Sequence, residues 1–249
     1  MKKMKKYLYI MLILFTGLIT SCEQDTTEGV SSVTNYPVIT LNGDKVVFVE
    51  VGETYDDQGA KSTEGGTEIE TKTTFDNGDF YGKSGVDANT ADFYTVNYSA
   101  TNQDGFDGNA SRRVIVAHTG DLINSIEGLY TSSVQRAPSF TPLAKYNNLE
   151  YVIISKTGNN TYAITNAIGG YYSLGRGYGN NYAAKGAIIT ANNISGNDFS
   201  ITGANIPGFG LDIDIIDFIV NPGDKSITYT GTGSFGNGTF KVQLTQIQF

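Results

Sequence analysis

Residues 93–100 read Phe93-Tyr94-Thr95-Val96-Asn97-Tyr98-Ser99-Ala100. Tyr94, Val96 and Tyr98 share one face and polar residues fall between them, the period-two pattern of a half-buried β-strand. Beyond the Gly/Asp/Asn-rich loop 102–109, Arg112-Arg113-Val114-Ile115-Val116-Ala117 reads as a last strand of the same block. Upstream, Val38-Ile39-Thr40-Leu41 and Lys45-Val46-Val47-Phe48-Val49-Glu50-Val51 flank Asn42-Gly43-Asp44, a strand–turn–strand signal. Weaker strands fall near 68–75 and 79–83. Roughly seven short strands in about 80 residues, separated by turn signals, predict a β-sandwich.

The second half continues in the same style. Strands are expected at 151–155 and 161–165, joined by a loop of five residues, and at 187–191, 198–202, 211–220, 226–230 and 239–249. Only 122–126 offers a short helical candidate. Two strands slip phase: the apolar residues sit at 211, 213 and 215 and then at 216, 218 and 220, and at 240, 242 and 244 and then at 247 and 249. An extra residue keeps the core set inward only if a bulge absorbs it, so bulges are expected near 215/216 and 245/246. The alternative is a second apolar face turned toward the first block.

Composition narrows the function. The 249 residues hold one Cys and one His, which excludes a disulfide framework and a four-cysteine zinc site and leaves triad chemistry one candidate base, His118, at the boundary between the two blocks. Glu127 and Glu150 are the only glutamates after residue 121 and no motif surrounds them. No enzyme is expected.

The two blocks carry resemblances. Pro37-Val38-Ile39-Thr40-Leu41-Asn42-Gly43, Val51-Gly52-Glu53-Thr54-Tyr55-Asp56-Asp57-Gln58-Gly59-Ala60 and the Tyr94/Val96/Tyr98/Ala100 strand resemble the bacterial Ig-like domain known from pesticidal crystal proteins and many surface proteins, over residues 36–118. Such domains mostly serve as spacers or adhesive modules. Ile126-Glu127-Gly128-Leu129-Tyr130 resembles the first strand of lipocalin-like small barrels in Bacteroidetes lipoproteins. The expected architecture is all-β, an Ig-like β-sandwich followed at 122–249 by a lipocalin-like β-barrel or second β-sandwich.

The N-terminus reads as an address. Lys2, Lys3, Lys5 and Lys6 precede an apolar run from 7 to 15, and Leu18-Ile19-Thr20-Ser21-Cys22 follows. The run is shorter than the ~20 residues a membrane span needs. Its end resembles the lipobox of bacterial lipoproteins, which implies acylation of Cys22 after loss of residues 1–21 and a tether over 22–35. Two or three acyl chains hold a protein stably at a bilayer. The acidic start Glu23-Gln24-Asp25-Thr26-Thr27-Glu28 resembles the surface-export signal of Bacteroidetes lipoproteins, which implies display from the outer membrane. Removing 1–21 takes four lysines and no acid, moving the formal charge from −8 to −12, which argues against nucleic acid and anionic lipid as partners.

Two groups of residues are candidates for binding. Asp56, Asp57, Asp104, Asp107 and Asn109 lie in loops that can converge at one end of the sandwich, and oxygen ligands of this kind suit calcium, although their spacing matches no calcium loop. Turn geometry explains the same residues without any cofactor. Asp212 and Asp214 share one outward strand face and read as solvated. The segment 169–182 carries Tyr171, Tyr172, Arg176, Tyr178, Asn181 and Tyr182 among glycines. Flat aromatic surface beside amide and guanidinium groups suits a sugar's apolar face and hydroxyl rim. The same tyrosines also suit a packed barrel end. A glycan is the expected partner, as in lipoproteins of similar layout that capture polysaccharide, with a surface protein as the alternative. Free tyrosine ring faces favour the first and a broad apolar patch the second.

Overall fold

The structure, a computed structural model, describes residues 33–249. Seven strands come first: β1 (Val38–Leu41), β2 (Val46–Glu50), β3 (Ala60–Glu64), β4 (Thr67–Ile69), β5 (Lys72–Phe75), β6 (Asp92–Thr101) and β7 (Asp107–Ala117). They form two sheets, β1-β3-β4 and β2-β7-β6-β5, with β2 running parallel to β7 and every other pair antiparallel. Tyr94, Val96 and Tyr98 of β6 and Val114 and Val116 of β7 fill the space between the sheets, with Ile39 and Leu41 of β1 packed against them. The alternation along 93–100 thus sets which face of β6 is core.

Arg112 lies in phase with Val114 and Val116, so the chain must bury a guanidinium. Asp57 pairs with it, and the Tyr98 and Tyr55 hydroxyls donate to the same carboxylate oxygen at 2.5 and 2.9 Å. Arg112 also donates to the backbone oxygens of Asp44, at 2.9 Å, and of Asn42. Burial pushes the Asp57 carboxyl up, but the hydrogen bonds from Tyr98, Tyr55 and Arg112 outweigh it and hold it below its ordinary value. Burial and the Asp57 hydrogen bond push the Tyr55 phenol up to about 12.

The stretch 79–83 is a turn and not the strand its composition suggested. The Asp92 carboxylate accepts the amides of Phe80 and Tyr81, at 3.1 and 2.8 Å, and this side-chain capture replaces a ladder.

Nine strands follow: β8 (Gly128–Arg136), β9 (Leu149–Lys156), β10 (Thr161–Ile164), β11 (Ile188–Asn193), β12 (Asp198–Ile201), β13 (Ala204–Ile206), β14 (Leu211–Asn221), β15 (Ser226–Thr232) and β16 (Thr239–Ile247). All pair antiparallel in the order β12-β11-β10-β9-β8-β16-β15-β14-β13, the last strand beside the first. The two outer members, β12 and β13, are consecutive in the chain. β13 pairs with β14 on one side, while Asn205 exchanges two 2.8 Å hydrogen bonds with Lys185 on the other. The bent run 198–206 therefore joins both ends of the sheet and curls it into a barrel. Tyr130, Val152, Tyr162, Ile189, Phe218, Tyr229 and Leu244 fill the interior.

The bulge in β14 lies two residues beyond the expected place. Ile216 faces Thr230 and Ile219 faces Thr228, so Asp217 and Phe218 share a single partner position. Phe218 and Val220 rejoin the core, while Asp212 and Asp214 face solvent. The bulge expected at 245/246 is absent, because β16 pairs without a shift on both sides. Gln246 simply takes the inward position, its amide donating to the oxygens of Gly120 at 2.9 Å and Glu127 at 3.1 Å. The 122–126 segment is no helix either. The Asp121 carboxylate accepts the amides of Ile123, Asn124 and Ser125 at 2.9, 2.7 and 3.2 Å, and Leu122 takes a φ of 60°.

Residues 36–249 form one compact unit. Ala91, Phe93, Ile115 and Ala117 bury against Leu129 and Ile153, and Phe48 meets the rings of Tyr151 and Phe249. Ile247 joins the same cluster. The second apolar face considered for β14 thus belongs to the end of β16. No helix among the described residues is long and apolar enough to cross a membrane.

Candidate functional site

The tyrosine-rich segment closes one end of the barrel. Gly170, at a φ of 80°, starts a π-helical turn (Tyr171–Gly175), and a 3-10 turn (Asn180–Tyr182) follows. Gly175 leaves room for the Tyr146 ring, since a Cβ there would lie 2.6 Å from it. The buried Asn166 amide holds the first turn from below, donating to the Ser173 hydroxyl at 2.9 Å and accepting from the Ala184 amide at 3.4 Å.

The rings form a continuous packing. Tyr146 stacks on Tyr171 with centroids 4.3 Å apart, Tyr171 meets Tyr172 edge-on at 5.1 Å, and Tyr172 lies parallel to Tyr178 at 6.2 Å. Phe209 touches both Tyr172, at 5.0 Å, and Tyr182, at 4.8 Å, and Tyr182 meets Tyr178 at 5.3 Å. The Arg136 guanidinium sits 5.4 Å from each of the Tyr171, Tyr172 and Phe240 rings and donates to the Asn237 oxygen at 2.8 Å. This inner part is a floor.

Exposure separates floor from rim. Tyr171 and Tyr172 are only 5% and 7% exposed, so these two ligand candidates take the packed alternative and present no open ring faces. Tyr178 and Phe209 are 49% and 43% exposed, and Tyr182 is half-buried beside them. Arg176 and Asn181 are exposed. The rim therefore consists of Tyr178, Phe209 and Tyr182 with Arg176 and Asn181. Sequence reading missed Phe209, Tyr146, Lys145 and Arg136, which arrive from three distant loops and strands and carry no local signal.

Electrostatics differ across the floor. Burial pushes the Tyr172 phenol up, eased by the nearby Arg136 charge. For Tyr146 burial also raises the value, but the Tyr171 hydroxyl and the Lys145 and Arg176 charges outweigh it and draw the phenol below its ordinary range.

The other candidates lie apart. Asp57 is committed to Arg112, and Asp107 accepts the Thr101 hydroxyl at 2.6 Å. Asp56, Asp104 and Asn109 are exposed, and among the described residues no group of three or more His, Cys, Asp or Glu side chains is placed to hold a metal. Cys22 lies outside the described residues. A separate cleft of about 480 Å³ opens where β12 splays from β14, lined by Phe199, Ile201, Ile215 and Phe218 with Ile216 and Ile219 at its lip. The Val220 amide closes one end of it on the Asn197 side-chain oxygen at 2.7 Å.

Comparison with known proteins bears on both halves. Residues 119–246 match a family model that describes a C-terminal domain. The chain belongs to that family. Residues 39–116 of this family member match the model of the Ig-like domain of bacterial surface proteins. Neither description is that of an enzyme family. The crystal structure of the lipoprotein BT2262 from Bacteroides thetaiotaomicron has a similar fold, with a TM-score of 0.63 at 22% identity over 85% of this chain and 100% of that one. No curated protein matches the sequence.

Proposed function

We propose that this protein is a non-catalytic lipoprotein of the bacterial surface, held in the outer membrane by acylated Cys22, and that it binds glycan at the aromatic end of its barrel. The observation that carries the reading is the rim of Tyr178, Phe209 and Tyr182, two of them more than two-fifths exposed on a rigid aromatic floor. The rim rings touch one another instead of being scattered singly, and a sugar's C–H face would cover such a cluster while its hydroxyls reach Arg176 and Asn181. The Ig-like match of 39–116 and the likeness to a Bacteroides lipoprotein support surface placement. The barrel's position supports display of this end. Leu129 at the start of β8 is buried at the junction with the Ig-like half, whereas Arg136 at its end belongs to the aromatic floor, about 24 Å away at 3.4 Å per residue.

Affinity gel electrophoresis of residues 23–249 across a broad polysaccharide panel tests the site. Retardation by at least one polymer, lost in Tyr178→Ala, is expected. No retardation on any member, or a Tyr178→Ala variant that migrates like wild type, removes the reading. A second reading, a docking module for another surface protein, draws on Ile216 and Ile219, 48% and 49% exposed beside the β12/β14 cleft. An Ile219→Lys change that abolishes a pull-down partner while leaving glycan retardation intact would favour it.

A further inference from the structure

The aromatic end gathers positive charge in an acidic chain. Its formal charge is −8, yet Lys145, Arg136 and Arg176 converge on one group of rings. Lys145 Nζ lies 4.7 Å from the centre of the Tyr146 ring, and the Arg176 guanidinium lies 6.0 Å from that of Tyr171. These are the two rings of the stacked pair, so each cation lies against one member of it. Arg136 is spent on the floor, donating to the Asn237 and Gly236 backbone oxygens. Lys145 and Arg176 are exposed. Among the described residues the ion pairs are Lys61–Glu68, Arg112–Asp57 and His118–Glu50, and neither Lys145 nor Arg176 enters one.

An exposed cation with no carboxylate partner is open to an anion from solution. Here the protein supplies tyrosine rings and no carboxylate ion pair. Against the effect of burial, the Tyr146 phenol is drawn below its ordinary value by the Tyr171 hydrogen bond first and by Lys145 and Arg176 after it. Two ring contacts, Tyr171 to Tyr172 and Tyr172 to Tyr178, connect this patch to the exposed rim.

Building on the glycan reading above, we propose that the saccharide taken by this end carries acid groups, carboxylate or sulfate, which Lys145 and Arg176 engage. Arg176 offers a planar fork that matches either oxyanion, and Lys145 a compact charge. Neutral sugars engage the rim alone. Acidic ones engage rim and cation pair together.

The test compares dextran, dextran sulfate and polygalacturonate within the broad panel, by affinity electrophoresis and titration calorimetry. The proteins are wild type, the double variant Lys145→Gln/Arg176→Gln, Tyr178→Ala, and Lys72→Gln as a control for charge on the Ig-like half. Wild type is expected to hold an acidic polymer about tenfold more tightly than its neutral counterpart, a gap that closes in the double variant and shrinks in about 0.5 M salt. Lys72→Gln leaves the gap unchanged, and Tyr178→Ala weakens neutral and acidic polymers alike. Preference for dextran sulfate or for polygalacturonate identifies the acid group. Equal affinity for neutral and acidic polymers, or an acidic preference that survives in the double variant or falls equally in Lys72→Gln, overturns the acid-group assignment while the rim reading stands. No binding across the whole panel overturns both.

Discussion

Replacing Asp57 by alanine tests the claim that this carboxylate is a structural counter-ion. Arg112 is 1% exposed and has one carboxylate partner, so Asp57→Ala strands a guanidinium in the core of the Ig-like half. Tyr98 and Tyr55 lose their acceptor at the same time, leaving Arg112 with the Tyr98 hydroxyl at 2.7 Å and backbone oxygens. Removing one member of a buried pair costs about 3–5 kcal/mol, whereas replacing both by apolar groups is close to neutral. With an m-value of about 2 kcal/mol/M, the urea midpoint falls by about 2 M in Asp57→Ala and recovers most of that in Asp57→Ala/Arg112→Met. The chain has no Trp and 16 Tyr, so tyrosine fluorescence and far-ultraviolet circular dichroism report the transition. A midpoint shift below about 0.5 M in the single variant, or a double variant no better than the single, would refute the assignment.

The same pair sets a pH response. Asp57 titrates lower in the folded chain than in the unfolded one, so its stabilisation is complete above the unfolded value near ~4 and disappears as pH falls through the folded value. Melting temperatures of wild type and Asp57→Ala should therefore converge in acid, and a constant gap down to the lowest accessible pH contradicts this. Gln246→Leu removes the amide shared by the Gly120 and Glu127 oxygens, and a loss of about 1–3 kcal/mol should lower the melting temperature by about 5 °C. An unchanged melting temperature would show that those acceptors find other donors.

The strands were largely legible because most of them bury one face. The alternation in 93–100 assigns the core side of β6, and the phase slip in 211–220 announces the bulge at Asp217 and Phe218. Legibility fails where a polar side chain takes a core position. Gln246 sits inward to satisfy backbone oxygens, so the apolar pattern of β16 falters without any change of register. Asp57 reads as a turn residue or metal ligand until Arg112, 55 positions away, is seen to face it. Asp92 and Asp121 convert an expected strand and an expected helix into turns by capturing amides, a competition that hydrophobic periodicity does not record. At the site, the tyrosines of 169–182 were visible as composition. Their division into floor and rim was not, because Tyr146, Phe209 and Arg136 reach them only through the curl of the barrel.

That curl also explains how one sheet serves two neighbours. β8 and β9 are apolar on both faces near one end, with Leu129 and Ile153 turned to the Ig-like half and Tyr130, Val152 and Ile154 turned inward. Burial of both faces makes the junction part of the packed fold, and residues 36–249 form one compact unit. The opposite end of β8 and the start of β16, around Arg136 and Phe240, carry the aromatic floor. A ligand on the rim accordingly meets a surface braced by paired strands and packed rings, and little ordering remains to be done on binding. On the proposed glycan reading, selectivity would come from the exposed side chains beside the floor, Tyr178, Arg176 and Lys145.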